Sequence, residues 1–234
     1  MGLADLHLHT IYSYDGTAFV PAVLTRAKHI GLDVIAITDH DEIAGALKAL
    51  ELAPKFGVEV IPAIEITTAE GDLLALNITK KVRRDQPLIE TVLQVGALGG
   101  FCIAPHPMAG GFGMKSLNAY SILRALRNAE VAQILIGIET YNATTIDKMS
   151  NHYAHILGSR LDLAKTASSD AHVVEAIGLS ATEFEGHTAQ DLINALRAGN
   201  VRQRKQKEWN SVRILGSWAA NYVGSAFTRF ANAA

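Results

Sequence analysis

Short apolar runs of strand length alternate with segments of helical periodicity through most of this chain. No other feature restricts the fold as much, because a β-α repeat predicts a largely parallel sheet with helices as crossovers. Strands are predicted over residues 3–8, 34–38, 58–64, 73–78, 101–104, 134–138 and 165–168. Helices are predicted over 21–30, 42–56, 87–98, 121–128, 145–157 and 189–198. The boundaries carry physical signals: Pro21 opens the first helix, Gly31 follows it, and Gly99-Gly100 ends another. Glu70-Gly71-Asp72 reads as a turn between two strands. Seven or so strands predict a closed or nearly closed α/β barrel, in one domain over residues 1–234. The composition changes only near the end, where a basic run from Arg202 to Lys207 leads into a helical tail over 205–234, read as a cap on the barrel.

At 234 residues, 49% hydrophobic and 19% charged, the chain has the makings of a sizeable core. A net charge of −2 argues against binding nucleic acid through bulk positive charge, though not against nucleotides. One cysteine, Cys102, excludes an intrachain disulfide and suits a reducing, cytoplasmic setting; its apolar frame predicts an inert core thiol. The chain opens directly into a strand, so no leader is expected. No run of about 20 apolar residues predicts a membrane span.

Metal-ligating side chains recur at the ends of the predicted strands. His7 and His9 stand in Asp5-Leu-His-Leu-His-Thr10, Asp15 precedes Gly16, and His40 lies between Asp39 and Asp41. Glu65 follows an apolar run, His106 sits between Pro105 and Pro107, and Asp170 and His172 flank Ala171. A strand has period two, so Asp5, His7 and His9 are expected on one face, with Leu6 and Leu8 on the other and Asp5 orienting the imidazoles. Of Asp39 and Asp41, one is expected to support His40 and the other to cap the following helix. A buried Glu65 without a partner would be costly, and a cation removes that cost. His29, His152, His155 and His187 lack the strand-end context and read as solvated surface.

Taken in order, Asp-Leu-His-Leu-His-Thr, Ile37-Thr-Asp-His40, the isolated Glu65, His106-Pro107 and Ser169-Asp-Ala-His172 resemble the motifs of the polymerase and histidinol phosphatase (PHP) superfamily over residues 3–175. The resemblance is to its small metal-dependent phosphoesterases. It implies a distorted seven-stranded β/α barrel with two or three divalent ions at the strand C-termini. It also implies that His7, His9, Glu65 and Asp170 hold the first ion, that Glu65 bridges to a second shared with His106, and that Asp15, His40 and His172 hold a third. Many relatives carry a histidine in a Gly-His-Leu-Leu segment, where this chain has Gly71-Asp72-Leu73-Leu74. Asp72 is either a replacement oxygen ligand or leaves an open position. Only about thirty residues separate Pro107 from Glu139, so the inserted lid of some nucleotide-cleaving relatives is absent or much reduced. Mixed imidazole and carboxylate ligands suit zinc, manganese or iron.

The expected activity is hydrolysis of a phosphomonoester, or of a nucleotide or short oligonucleotide phosphoester, by a metal-activated water. Glu65, Asp170 and His172 stand closest to the chemistry. The glycine-rich loop 109–115 brings Lys115 forward for phosphate contact, and Glu139 and Asn142 are expected to line the pocket. The expected partner is a small phosphorylated substrate. A C–N hydrolase of the amidohydrolase type and a non-catalytic accessory module stay open as alternatives.

Overall fold

The computed structural model describes residues 1–110, 115–145, 147–205 and 211–232. Strands β1 (Gly2–Leu8), β2 (Val34–Ile37) and β3 (Glu59–Thr67) pair in parallel, joined by helices α1 (Val20–His29) and α2 (Ala44–Leu52). A hairpin then reverses the chain into β4 (Asp72–Leu76). Its turn is closed by the Thr68 hydroxyl, which donates to the Gly71 carbonyl at 2.5 Å. Gly71 has φ +148°, and a Cβ there would lie 2.6 Å from the Leu117 nitrogen, so no side chain fits. After α3 (Leu88–Ala97), β5 (Phe101–Ala104) runs antiparallel to β4. Helices α4 (Ala119–Leu126) and α5 (Ala129–Ile134) lead to β6 (Leu135–Asn142), and α6 (Lys148–Gly158) to β7 (Ala164–Ser168), both strands parallel to β5's direction.

Among the described residues the sheet has nine strands rather than seven, in the order β7-β6-β5-β4-β3-β2-β1-β8-β9. The additional strands are β8 (Ser180–Phe184) and β9 (Val201–Lys205), with α7 (Ala189–Arg197) between them; helix α8 (Ser211–Asn232) follows. Both strands pair antiparallel, as do β3-β4 and β4-β5, so the sheet is mixed where a largely parallel one was expected. Neither added strand announces itself. β8, Ser-Ala-Thr-Glu-Phe, is small or polar up to Phe184, and β9, Val-Arg-Gln-Arg-Lys, carries the basic run read as the start of the tail. Short β2 and β5, by contrast, are apolar throughout.

The sheet curls until its ends meet. The Thr182 hydroxyl of β8 bonds both the nitrogen and the carbonyl of Ala167 in β7, at 3.0 and 2.9 Å. At the rim, closure is direct: the His9 nitrogen donates to the Ala171 carbonyl at 2.9 Å, and Leu8 bridges Ala171 in parallel. One apolar cluster lies between sheet and helices and contains Val23, Leu24, Ile35, Ile64 and Val92. A second unites Leu6, Ile61, Leu74, Phe101 and Phe184 with Leu192 and Leu196 of α7. Helix α7 touches β3, β6 and β8 together, and the Ala189 nitrogen donates to Glu59 at the start of β3, so α7 closes the end opposite the rim.

Topology places the ligand candidates. β1, β2, β3, β5, β6 and β7 all direct their C-terminal ends to one rim. Because β4 alone among β1–β7 runs the other way, its first residue, Asp72, reaches that same rim opposite Thr67.

Candidate metal centre

The rim gathers His7, His9, Asp15, His40, Glu65, Asp72, His106, Asp170 and His172. Four overlapping sets offer ligand atoms within 4.8 Å of one another: His9, Asp15, His40 and His172; His7, Glu65 and His106; His7, His9 and Asp170; and His40, Glu65 and Asp72. Glu65 is the hub. Its Oε2 lies 3.1 Å from His7 Nε2, 3.3 Å from His9 Nε2 and 3.3 Å from His40 Nδ1, while Oε1 lies 3.1 Å from His106 Nε2. Asp170 Oδ1 is 3.4 Å from His7 Nε2 and 3.2 Å from His9 Nε2. Asp15 Oδ2 sits between His40 Nε2 and His172 Nε2, at 3.4 and 3.2 Å.

Two of these residues hold left-handed backbones, His106 at φ +28° and Asp170 at φ +54°. Such conformations cost about 1–3 kcal/mol each in non-glycine residues and persist where the surroundings fix them. The surroundings here are a carboxylate-amide network. Glu139 Oε1 accepts from His7 Nδ1 at 3.1 Å and its Oε2 from the His106 backbone nitrogen at 2.8 Å. The carboxylate on Nδ1 orients the ring so that His7 Nε2 faces Glu65 and Asp170. Asn142 Nδ2 donates to Asp170 Oδ2 at 3.0 Å.

Several roles differ from those expected. Asn142 is buried and its Oδ1 accepts from the nitrogens of Thr144 and Thr145, so it braces Asp170 instead of lining a pocket. Asp5 meets neither imidazole: it accepts from the Ser169 nitrogen and hydroxyl and the Gly178 nitrogen, anchoring the loop that bears Asp170 and His172. The reason is an irregularity in β1, whose ladder to β2 shifts between Asp5 and Leu8. Strict alternation therefore fails, and Leu6 and Leu8 fall in different apolar clusters. Asp39 holds the nitrogen and hydroxyl of Thr10, at 2.6 and 2.7 Å. Asp41 accepts from the Thr67 nitrogen, and the first amides of α2 are met by Glu42. Lys115 is exposed, and its carbonyl accepts from the Asp72 nitrogen at 2.5 Å, beside the rim; residues 111–114 of the glycine-rich loop lie outside the described residues. His29, His152, His155 and His187 are exposed and join none of the ligand sets.

Tyr14 and Glu139 carry more than the sequence disclosed. Tyr14 is 67% exposed at the mouth, its ring stacked on His40 with centroids 5.0 Å apart. Glu139 follows the strand-end rule that found the ligands, and a buried carboxylate after an apolar run was its signal.

The protons are distributed unevenly. Burial alone would raise the Glu65 carboxyl, but charge on His40 and His7 and hydrogen bonds from His106 and His7 hold it well below its usual range. Burial, with His172 and His40 nearby, lowers His9 to about 4. Burial also lowers His40 and His172, but Glu65 and Asp15 raise the first to about 10, and Asp15 and Asp170 raise the second to about 9. Asp72, buried and near the Glu65 charge, is raised to about 6.

Whether these residues suit cations is decided by what they lack. Both ring nitrogens of His9 are buried without a hydrogen-bond partner, although Nε2 faces two carboxylate oxygens, and Asp72 Oδ1 is buried in the same condition. A buried polar atom left unpaired costs about 1–3 kcal/mol. Lone pairs that converge without donors between them are what a divalent cation requires, and the nitrogen-oxygen donor set suits zinc, manganese or iron.

Comparison with known proteins agrees with this geometry. An uncharacterized protein of Methanocaldococcus jannaschii, MJ1587, is 33% identical over 161 residues, which cover 64% of this chain and 88% of that protein. A phosphoribosyl 1,2-cyclic phosphate 1,2-diphosphodiesterase of Eggerthella lenta is 38% identical over 65 residues, 28% of this chain and 24% of that protein. The fold matches the crystal structure of PsfC from Pseudomonas syringae with a TM-score of 0.69 at 19% identity, covering 95% of this chain and 98% of that one. The PHP domain model matches residues 5–211, and the chain belongs to the PHP domain family.

Proposed function

We infer that this PHP-family chain is a metal-dependent hydrolase of phosphate esters. The observation that carries this reading is the Glu65 carboxylate, whose two oxygens lie 3.1–3.3 Å from four imidazoles of a buried rim. His7, His9, Glu65 and Asp170 would hold one ion, Glu65 and His106 a second, and Asp15, His40 and His172 a third, with Asp72 supplying an oxygen beside His40 and Glu65. When bound, such ions lower the pKa of a coordinated water and neutralise charge on a phosphoryl group.

The chain's own residues do the rest. Glu139 and Asn142 fix the donors of His7 and Asp170 from behind, so the cluster does not reorganise when substrate arrives. The Ser116 hydroxyl, 2.9 Å from His106 Nδ1, steadies the fourth imidazole. Lys115, next to Ser116 and exposed, offers a cation to a phosphate oxygen, and Tyr14 offers an aromatic wall at the mouth. The substrate is a small phosphorylated molecule, such as a nucleotide, held by these groups and not by bulk positive charge. No lysine whose side chain is described is buried, so nothing there favours the lysine-bridged centre of an amidohydrolase. The nearly complete ligand set speaks against an inactive accessory module. A buried free Cys102 fits work in a reducing compartment such as the cytoplasm, and no helix of the described residues is long and apolar enough to cross a membrane.

The test is metal analysis of protein purified without chelator, followed by assays on p-nitrophenyl phosphate, its bis-ester and mononucleotides. Metal-dependent release of phosphate or nitrophenol is expected. A metal-loaded protein inert on the whole panel would overturn the reading.

A further inference from the structure

Helix α8 begins where the match to the family ends, at residue 211. Its surface is sparingly used. Of the described side chains from Leu215 to Ser225, Ser217 and Trp218 are half-buried, Ser225 is buried and the others are exposed, Leu215 at 61% and Val223 at 72%. Among the described side chains of the helix, Trp218 is the large one that ties it down. It packs against the apolar cluster between sheet and helices, and its Nε1 donates to the Asp15 carbonyl at 2.8 Å.

That carbonyl belongs to the loop between β1 and α1, which carries the outermost ligand candidate. Within the loop, the Ser13 hydroxyl donates to Asp15 Oδ1 at 2.6 Å, and the Thr17 nitrogen and hydroxyl donate to the His172 carbonyl at 3.0 and 2.8 Å. Gly16 packs so closely on Thr10 that a Cβ would lie 2.0 Å from its carbonyl oxygen. The loop is thus fixed from the barrel side by Thr10, Ser13 and Thr17, and on the peptide of Asp15 by α8. The tertiary structure joins a helix outside the family segment to one ligand set of the centre.

We propose that Trp218 is a positioning residue for the outer cation site of Asp15, His40 and His172, so that α8 sets the occupancy of that site without touching the ion or the inner ligands. The inference rests on the metal-site reading above. An indole hydrogen bond to a carbonyl contributes about 0.5–1.5 kcal/mol, so its loss should weaken one site by roughly two- to tenfold. Sites held by His7, His9, Glu65 and His106 have no contact with α8 among the interactions described and should keep their affinity.

The experiment uses the full chain and its W218F variant, which keeps an aromatic ring in the packing and removes the N–H. Zinc and manganese are titrated calorimetrically into chelator-treated protein, and tryptophan emission is followed in parallel. For the wild type, the weaker phase should perturb the emission. In W218F that phase should weaken by roughly two- to tenfold. The tighter phase should stay unchanged, and the melting temperature of the metal-free protein should fall only slightly, by what one hydrogen bond contributes. L215A, on the exposed face, should match the wild type. Equal affinities in W218F and wild type would overturn the proposal, as would a uniform loss across all phases together with a lower melting temperature. A wild-type protein that binds neither metal would overturn the metal-site reading as well, so the two failures are distinguishable.

Discussion

The centre has two halves built in different ways. The inner half, His7, His9, Glu65, His106 and Asp170, stands on strands or in the first residues past them, with side chains 0–6% exposed. The outer half takes Asp15 and His172 from loops, and the Asp15, His40 and His172 side chains are 19, 12 and 26% exposed. Inner ligands are held by buried charge and amide partners, whose loss leaves an uncompensated group in a dry interior. The outer ones are held by hydroxyls, a backbone carbonyl and an indole, within reach of water. On the proposed reading, tight binding belongs to the first half, and adjustable occupancy and contact with substrate belong to the second, which lies beside Tyr14.

The largest expected effect erases the distinction between the halves. E65Q removes the carboxylate that meets His40 of the outer half as well as three inner imidazoles, and should lower phosphoesterase activity by roughly a hundred- to a thousandfold, as breaking a buried charge network does. The circular dichroism spectrum should be retained, and metal content by mass spectrometry should fall in both halves. Activity close to wild type with metal still bound would remove Glu65 as the hub.

E139Q and D15N should separate the halves. Glu139 accepts from His7, the His106 nitrogen and Asn142, all on the inner side, so its amide variant should weaken the inner phase of metal binding by about 10–100-fold, the usual cost of losing a partner behind a ligand. D15N should abolish the weaker phase and leave the tighter one. If both variants weakened the same phase, the division into halves would be wrong.

Protonation sharpens the comparison further. In the metal-free protein His40 and His172, at about 10 and about 9, carry protons at pH 7.5, and an imidazole must lose its proton to bind a cation. Outer-site binding should therefore release protons and strengthen as pH rises toward that range. In the inner half His9, at about 4, is already neutral and should release none, whereas His7 and His106, raised despite burial by the carboxylates around them, should give up protons in the tighter phase. Calorimetry in two buffers of different ionisation enthalpy measures the number released in each phase; no buffer dependence in the weaker phase would contradict the assignment.

The smaller effects concern single groups. K115A should raise the Michaelis constant for a phosphate substrate by about two- to tenfold, as loss of one exposed charge contact does, and leave metal content intact. An unchanged Michaelis constant would return Lys115 to the surface. Cys102, whose thiol is pushed far up by burial, should resist a thiol reagent in the native protein and react once unfolded. Fast native labelling would mean the strand opens readily.

The chemistry of the rim was legible in the sequence because ligand types are few and strand ends recur. His7, His9, His40, Glu65 and His106 stand in or just after apolar runs, and Asp170 and His172 follow the short strand read at 165–168. The same local logic found most helices and seven strands. Local pattern could not find β8 and β9, because Ala181 and Phe184 are too few apolar residues to mark a strand and β9 is mostly basic and polar, so pairing at the seam of a curled sheet defines both. It also could not tell that Asp5 would clamp Ser169, that Glu139 would orient His7, or that Trp218 would reach the Asp15 loop across 203 residues. Composition and periodicity determined which residues are ligand candidates and on which strand ends they stand. Only the tertiary structure decided which of them share an oxygen, because that depends on how the reversed β4 and the curled sheet bring separate strand ends to one rim.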